Sequence, residues 1–243
     1  MIPAFLYRNL RARYRDERQE IWALVSAIER GQIAVDCGAF KGSFLWSLSR
    51  AVGDGKVVAF EPQAGPASYL REVVARCGLR NVTVEHMAVS DHEGKMILRL
   101  PGGSVSAGAS IEQEFVDDPD CTMEEVRVVS LDAYFADCST KVAAIKIDVE
   151  GHELAVFRGA ERLIERNSPL LVFECEERHL SGHSVADVLT WLKKRGYDGS
   201  FVRKGRLLPI SEFDPSVHQK QEGERFWDTH DYCNNFIMRK LHT

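Results

Sequence analysis

Short apolar runs alternate with amphipathic stretches along most of the 243-residue chain. Ile33 to Asp36, Val57 to Glu61 and Val82 to His86 read as buried strands, separated by helical patterns over Ser43 to Val52 and Pro66 to Cys77. A second set follows, with strands over Ala143 to Asp148 and Leu170 to Glu174 and helices over Glu153 to Arg166 and Val185 to Arg195. Such alternation predicts an α/β fold whose parallel sheet has right-handed crossovers and helices on both faces. Ligands then bind at the carboxyl ends of the strands, near the switch point between the two halves. Ser200 to Arg203 and Asn235 to Arg239 read as two last strands, one of them antiparallel at the sheet edge. Residues 1–30, Arg-rich with apolar positions at Leu6, Leu10, Ile21, Leu24 and Val25, predict a helical extension acting as a lid or dimer contact, ahead of a single domain over 31–243. Two segments break the pattern. Pro101 to Thr122, rich in Gly, Ser and acids, is expected to cover a site, and Ile210 to His230 is irregular.

The first strand runs into Asp36-Cys37-Gly38-Ala39-Phe40-Lys41-Gly42. Glycines there permit positive φ and close approach of a ligand to the backbone, and amides at the following helix start are expected to receive polar ligand groups. A dinucleotide fingerprint needs Gly-x-Gly-x-x-Gly, which is missing; Asp36 at the strand end suits a cation better than a pyrophosphate. S-adenosylmethionine carries an ammonium and a sulfonium and no phosphate, so a methyl donor is the first expectation. Glu61, about 20 residues on, stands where a carboxylate takes both hydrogens of a ribose diol, or else caps the next helix. Asp36 is expected to hold the cofactor ammonium or the turn amides. Met87 and Ala88 stand where an adenine ring needs an apolar slot, with core packing as Met87's alternative.

Ile145-Lys146-Ile147-Asp148-Val149-Glu150-Gly151-His152-Glu153 delivers several ionisable groups to the same rim. Asp148 is placed beside the sulfonium. His152 is a candidate general base, because an imidazole accepts a hydroxyl proton near neutrality; its plainer reading, with Glu153, is a helix start. Glu174 is a second base or a substrate-hydroxyl acceptor, or a partner of Arg178. Lys146 is expected on the opposite side of its strand from Asp148, which leaves no catalytic amine. Asp148 and Glu174 lack a dedicated third ligand, so no metal is expected.

Composition narrows the classes further. A net charge of −5 offers no general attraction for nucleic acid, and no run is apolar enough to span a membrane. Six scattered cysteines without a Cys-x-x-Cys pair argue against zinc ribbons and disulfide frameworks. With no cleavable leader pattern at the start, a cytoplasmic protein is expected.

The glycine turn, Phe60-Glu61-Pro62, Ala88-Val89-Ser90-Asp91, the Lys146 to Glu153 run, Gly159-Ala160 and Pro169 to Glu174 together resemble the FkbM family of S-adenosylmethionine-dependent methyltransferases. The resemblance covers Ile33 to Lys240. It implies a Rossmann-like class I methyltransferase fold with a seven-stranded, mostly parallel sheet and one antiparallel strand. It also implies O-methylation of a hydroxyl on a sugar, glycan or secondary metabolite. Carried over by motif position, Asp36, Gly38, Ala39, Phe40, Gly42 and Glu61 contact the cofactor. Phe40 and Lys41 depart from the small residue or Asn common there. A small-molecule or glycan acceptor is expected, with a homodimer as an open option. The rivals are methylation of nucleic acid or protein, a dehydrogenase, and a non-catalytic adenosylmethionine-binding module.

Overall fold

The computed structural model describes residues 1–100, 105, 121–223, 226, 229 and 231–241. Its main sheet has eight strands. Six run in one direction: β1 (Ile33–Cys37), β2 (Lys56–Phe60), β3 (Val82–Glu85), β7 (Val142–Ile147), β8 (Leu170–Glu174) and β9 (Tyr197–Arg203). β10 (Arg206–Pro209) and β11 (Asn235–Lys240) oppose them, and the order is β10-β9-β11-β8-β7-β1-β2-β3. This is the expected doubly wound sheet with an additional hairpin strand. The antiparallel β11 lies inside the sheet, between β8 and β9, rather than at its edge; the edge belongs to β10.

Strand alternation sorts the core into two layers. Val35, Val58, Phe60, Ile145, Leu171 and Phe173 point to one face. There they meet α6 (Glu153–Arg158), α7 (Glu161–Asn167) and α8 (Val185–Lys193) through Phe157, Leu163 and Leu192. The intervening positions Ala34, Val57, Ala59, Ala144 and Val172 face the other way. They meet α1 (Ile2–Arg11), α2 (Arg18–Ala27), α3 (Leu45–Val52) and α4 (Ala64–Arg76) through Phe5, Ile21, Leu24, Leu48 and Leu70. The residues 1–30 therefore share a core with the sheet. A π-turn over Ala12–Asp16 joins α1 to α2.

The helix expected over Glu153 to Arg166 is two helices. Gly159 lies so close to Ser90 that a Cβ would sit 1.9 Å from its carbonyl oxygen, and Asp132 of α5 (Leu131–Tyr134) caps α7 by accepting from the Leu163 amide at 2.8 Å. A side sheet absent from the sequence reading is formed by β4 (Ala88–Val89), β5 (Gly94–Leu100) and β6 (Thr122–Val129); β5 and β6 pair antiparallel from Gly94↔Val128 to Leu100↔Thr122. The proposed cover over Pro101 to Thr122 falls almost wholly outside the described residues. The segment Ile210 to His230, only partly described, contains the short helix α9 (Pro215–His218). Among the described residues no helix is long and apolar enough to cross a membrane, and all six cysteines are free thiols.

Candidate functional site

The carboxyl ends of β1, β2, β7 and β8 open into one cleft with a cavity volume of about 160 Å³. Gly38, Phe40, Phe60, Glu61, Gln63, Met87, Ala88, Leu98, Asp148, Glu150, His152 and Glu174 line it. Eight of the sequence-derived candidates therefore converge: Gly38, Phe40, Glu61, Met87, Ala88, Asp148, His152 and Glu174. Asp36, Ala39 and Gly42 lie behind the wall. Gly42, at φ +74°, lets Phe5, Leu45 and Leu70 close over the turn.

The turn is held mainly by backbone. Gly38 has φ +78°, and a Cβ there would stand 1.8 Å from the Asp148 carbonyl oxygen, so only glycine lets β1 and β7 approach this closely. The Gly38 and Ala39 amides both donate to the Phe60 carbonyl at 3.0 Å, and the Gly42 amide donates to Ala39. Most turn amides are thus already satisfied, contrary to the expected cradle for polar ligand groups. Glu61 is 2% exposed; its two carboxylate oxygens accept from the Phe40 amide at 2.7 Å and the Gln63 amide at 2.9 Å. Burial pushes its carboxyl up to about 7, although both amides favour the ionised form. Phe40, at φ +43°, is held in a left-handed conformation that bulky residues rarely adopt.

α1 clamps this turn from outside. Asn9, 2% exposed, donates to the Gly42 carbonyl at 2.9 Å and accepts from the Trp46 amide at 3.1 Å, while Arg8 donates to the Lys41 carbonyl at 3.1 Å. The Trp46 amide is one of the free donors at the start of α3, so Asn9 caps that helix across 37 residues of sequence.

The opposite wall is acidic. Lys146 and Asp148 are two residues apart, share a face of the strand, and pair at 3.1 Å, which corrects the expectation that they point opposite ways. Lys146 also stands 3.5 Å from Asp36, its register neighbour on β1, and donates to the Gly38 carbonyl at 3.1 Å. Burial works against its charge, but Asp148 and Asp36 more than compensate and raise its pKa. Asp36 is fully buried, with neither oxygen hydrogen-bonded, so its charge rests on Lys146. Burial raises its pKa, and Lys146 opposes the shift.

Further along, the Asn234 side-chain amide bridges two carboxyls, donating to Glu174 at 2.6 Å and Glu176 at 3.0 Å. Burial, followed by Asp148, Glu150 and Glu176, raises Glu174 well above the carboxylate range. Burial acts the same way on Glu176, yet hydrogen bonds from Arg178, Glu174 and Asn234 outweigh it and bring that group down. Arg178 pairs with Glu176 rather than with Glu174. Glu174 is thus pushed toward its protonated form and Glu176 toward its ionised form. Glu150, at φ +51°, pairs with His179 at 2.7 Å. His152 is 5% exposed, with Nε2 at 2.8 Å from the Ser90 hydroxyl, and Glu153 accepts from the Gly151 amide instead of facing the cleft. A smaller hollow beyond Asp148 and Glu174 is lined by Glu17, Phe44, Lys146 and Asn235. Among the described residues no cluster of three or more metal-ligating side chains occurs.

Glu17, Asn9, Glu176 and Asn234 escaped the sequence reading, and Lys146 was read onto the wrong face of its strand. Only Lys146 carried a usable signal, its spacing of two from Asp148.

The FkbM methyltransferase domain model matches residues 36–198. The chain belongs to the FkbM methyltransferase family. Its methyl donor is accordingly S-adenosylmethionine. The fold is similar to that of an FkbM methyltransferase from Methylobacillus flagellatus KT, at 17% identity and TM-score 0.54; the match covers 98% of this chain and 58% of that one. A Streptococcus mutans protein described as a methyltransferase, in complex with SAH, matches at 12% identity and TM-score 0.51 over 93% and 98% of the two chains. An rRNA methylase from Streptococcus thermophilus matches at 13% identity and TM-score 0.51 over 94% and 98%. No curated relative matches in sequence. The Glu61 carboxylate, the half-buried Asp148 carboxylate and the apolar Met87 and Ala88 on the cleft wall suit a cationic adenosine ligand without phosphate, so the site fits the FkbM cofactor.

Proposed function

We propose that this FkbM protein methylates a hydroxyl on a sugar, glycan or secondary metabolite. The observation that carries this reading is the single cleft joining the Glu61 wall to the acidic wall of Asp148, His152 and Glu174. Bound S-adenosylmethionine supplies an activated methyl on a positively charged sulfur. Glu61 holds the ribose hydroxyls, Met87 and Ala88 flank the adenine, and Asp148 fixes the charged end. Phe40 and Gly38 close the turn over the cofactor, while Asp36, Ala39 and Gly42 support it from behind.

Between the two candidate bases, His152 is preferred. A carboxyl whose pKa is pushed well up, as burial and the neighbouring carboxylates push that of Glu174, donates a hydrogen bond more readily than it removes a proton. His152 lines the cleft and is oriented by Ser90, so it is the group placed to draw the proton from the acceptor hydroxyl. Glu174 and Glu150 then grip neighbouring hydroxyls. A polyhydroxylated acceptor suits this wall, whereas phosphate-rich nucleic acid meets like charge there. Holding the acceptor in line is expected to contribute about 7 to 11 kcal/mol, and the base about 10² to 10⁴ in rate.

Calorimetry with S-adenosylmethionine and S-adenosylhomocysteine on wild type and Glu61→Ala tests the cofactor half. Loss of the Glu61 hydrogen bonds should weaken binding about 10- to 100-fold. A radiolabel-transfer screen over sugars and glycolipid precursors tests the acceptor half, with His152→Gln expected to lower kcat about 10²-fold or more at unchanged cofactor affinity. Transfer to RNA or protein but to no hydroxyl compound would overturn the acceptor class. Cofactor binding with no turnover on any class would mark a binding module.

A further inference from the structure

The outer face of the N-terminal helices plays no part in the cleft. Along α1 and the π-turn, Phe5, Asn9 and Ala12 are buried, while Tyr7, Leu10 and Tyr14 are 64%, 54% and 68% exposed. Their spacing of three and four residues sets them on one side. Trp22 of α2, 59% exposed, shares a groove with Tyr14, Arg13 and Arg18.

The charges around this stripe are nearly all positive. Arg11, Arg15 and Arg18 are exposed beside it. The acids of the segment are mostly withdrawn: Glu17 lines the hollow beside Lys146, and Glu20 is 2% exposed. Asp16 stays at the surface, paired with Arg11 at 2.5 Å and Arg15 at 2.7 Å, and Glu29 is exposed just beyond the end of α2. Gln19 donates to the Gly205 carbonyl at 2.8 Å, which brings the exposed Lys204 and Arg206 of the β9–β10 turn to the rim. Asp231 there is paired with Arg203 and Lys204. A chain of net charge −5 has thus gathered a basic face around four large exposed side chains.

We propose that this face docks on an anionic phospholipid surface. Tyr and Trp sit well at the headgroup level, Leu10 gains by leaving water for the acyl boundary, and the arginines meet lipid phosphates. A second copy of the chain is a poorer occupant, because a two-fold contact through this patch sets arginines against arginines. Single-stranded RNA would use the arginines and aromatic rings but has no use for Leu10 at the centre of the stripe.

Flotation with phosphatidylcholine vesicles, with and without phosphatidylglycerol, tests the proposal on the full chain. Wild type should float only with the anionic lipid, and raised salt should weaken binding. Leu10→Ser with Trp22→Ser, and separately Arg11→Gln with Arg15→Gln, should each weaken it about tenfold. Circular dichroism and S-adenosylhomocysteine binding confirm that the variants fold. Failure of the wild type to float, or equal flotation by folded variants, overturns the proposal. Binding to an oligouridylate without flotation transfers the face to RNA, and a wild-type dimer that Trp22→Ser dissociates, again without flotation, transfers it to a second copy; both overturn it.

Discussion

The two walls of the cleft are built on different physics. The glycine-turn wall is largely backbone: Gly38 and Ala39 share the Phe60 carbonyl, and Glu61, two residues beyond Ala59 on the neighbouring strand, ties the Phe40 amide. Its shape follows from conformations only glycine tolerates and from contacts between adjacent strands. The acidic wall is side-chain chemistry. Asp36, Lys146, Asp148, Glu174, Glu176 and Asn234 come from four separate segments, and the ionisation of Asp36, Lys146, Glu174 and Glu176 depends on their neighbours in this group. On the second wall burial opposes the charges of Asp36, Lys146, Glu174 and Glu176, so their ionisation rests on one another.

The largest break in this contrast is expected at Lys146. Lys146→Met removes the counter-charge of the buried Asp36 and should cost about 3 to 5 kcal/mol of stability at neutral pH. Denaturant titrations at two pH values check it: the loss should shrink in acid, where Asp36, whose pKa burial raises, takes up a proton. An equal loss at both would assign Lys146 a packing role only.

Gly38→Ala attacks the other wall. A side chain in the left-handed region costs about 1 to 2 kcal/mol, and forcing a methyl against the Asp148 carbonyl about 1 to 3 more. Unlike the Lys146 variant, its loss should not vary with pH, which the same titrations read directly.

Glu61 carries the one strongly raised charge on the backbone wall. Its folded pKa, about 7, exceeds the ordinary 4.5, so the native state holds a proton that the unfolded chain releases. Its contribution to stability is therefore present in acid and lost as pH rises from about 4.5 through about 7. Ligand affinity should run the opposite way, since the ionised form accepts the ribose hydroxyls: S-adenosylhomocysteine binding should tighten from pH 6 to 8, and Glu61→Gln should abolish that slope. A slope that survives in the variant would place its source on the acidic wall.

The smallest effect is expected at Asn9. Asn9→Ala strips a helix cap and leaves the Gly42 carbonyl and Trp46 amide unpaired, at about 1 kcal/mol. Cofactor affinity should fall severalfold with acceptor KM unchanged, and Asn9→Asp, which keeps the acceptor for Trp46, should recover part of it. No change in affinity would make the α1 clamp a purely structural tie.

How far each wall can be read from the sequence follows the same division. Gly38, Glu61 and the Met87-Ala88 slot lie at fixed offsets from strand ends, so local periodicity located them. Asp148, His152 and Glu174 were located for the same reason. Lys146 was legible and misassigned, since a spacing of two places it on the Asp148 face. Glu17, Asn9 and Asn234 were not legible, because nothing in their neighbourhoods records what they meet across 37 to 129 residues. The side sheet of β4, β5 and β6 was hidden likewise: its alternation is short, and pairing through Gly94↔Val128 is a long-range contact.

The sequence by itself determined the α/β alternation, the family and the rim on which the chemistry gathers, because strands, turns and glycines act through neighbours along the chain. Only the tertiary structure decided that β11 enters the sheet between β8 and β9, that Asp36 depends on Lys146, and that burial with Asp148, Glu150 and Glu176 pushes the Glu174 carboxyl up. Those outcomes depend on burial and on distances between remote charges, and both exist only once the chain has closed on itself.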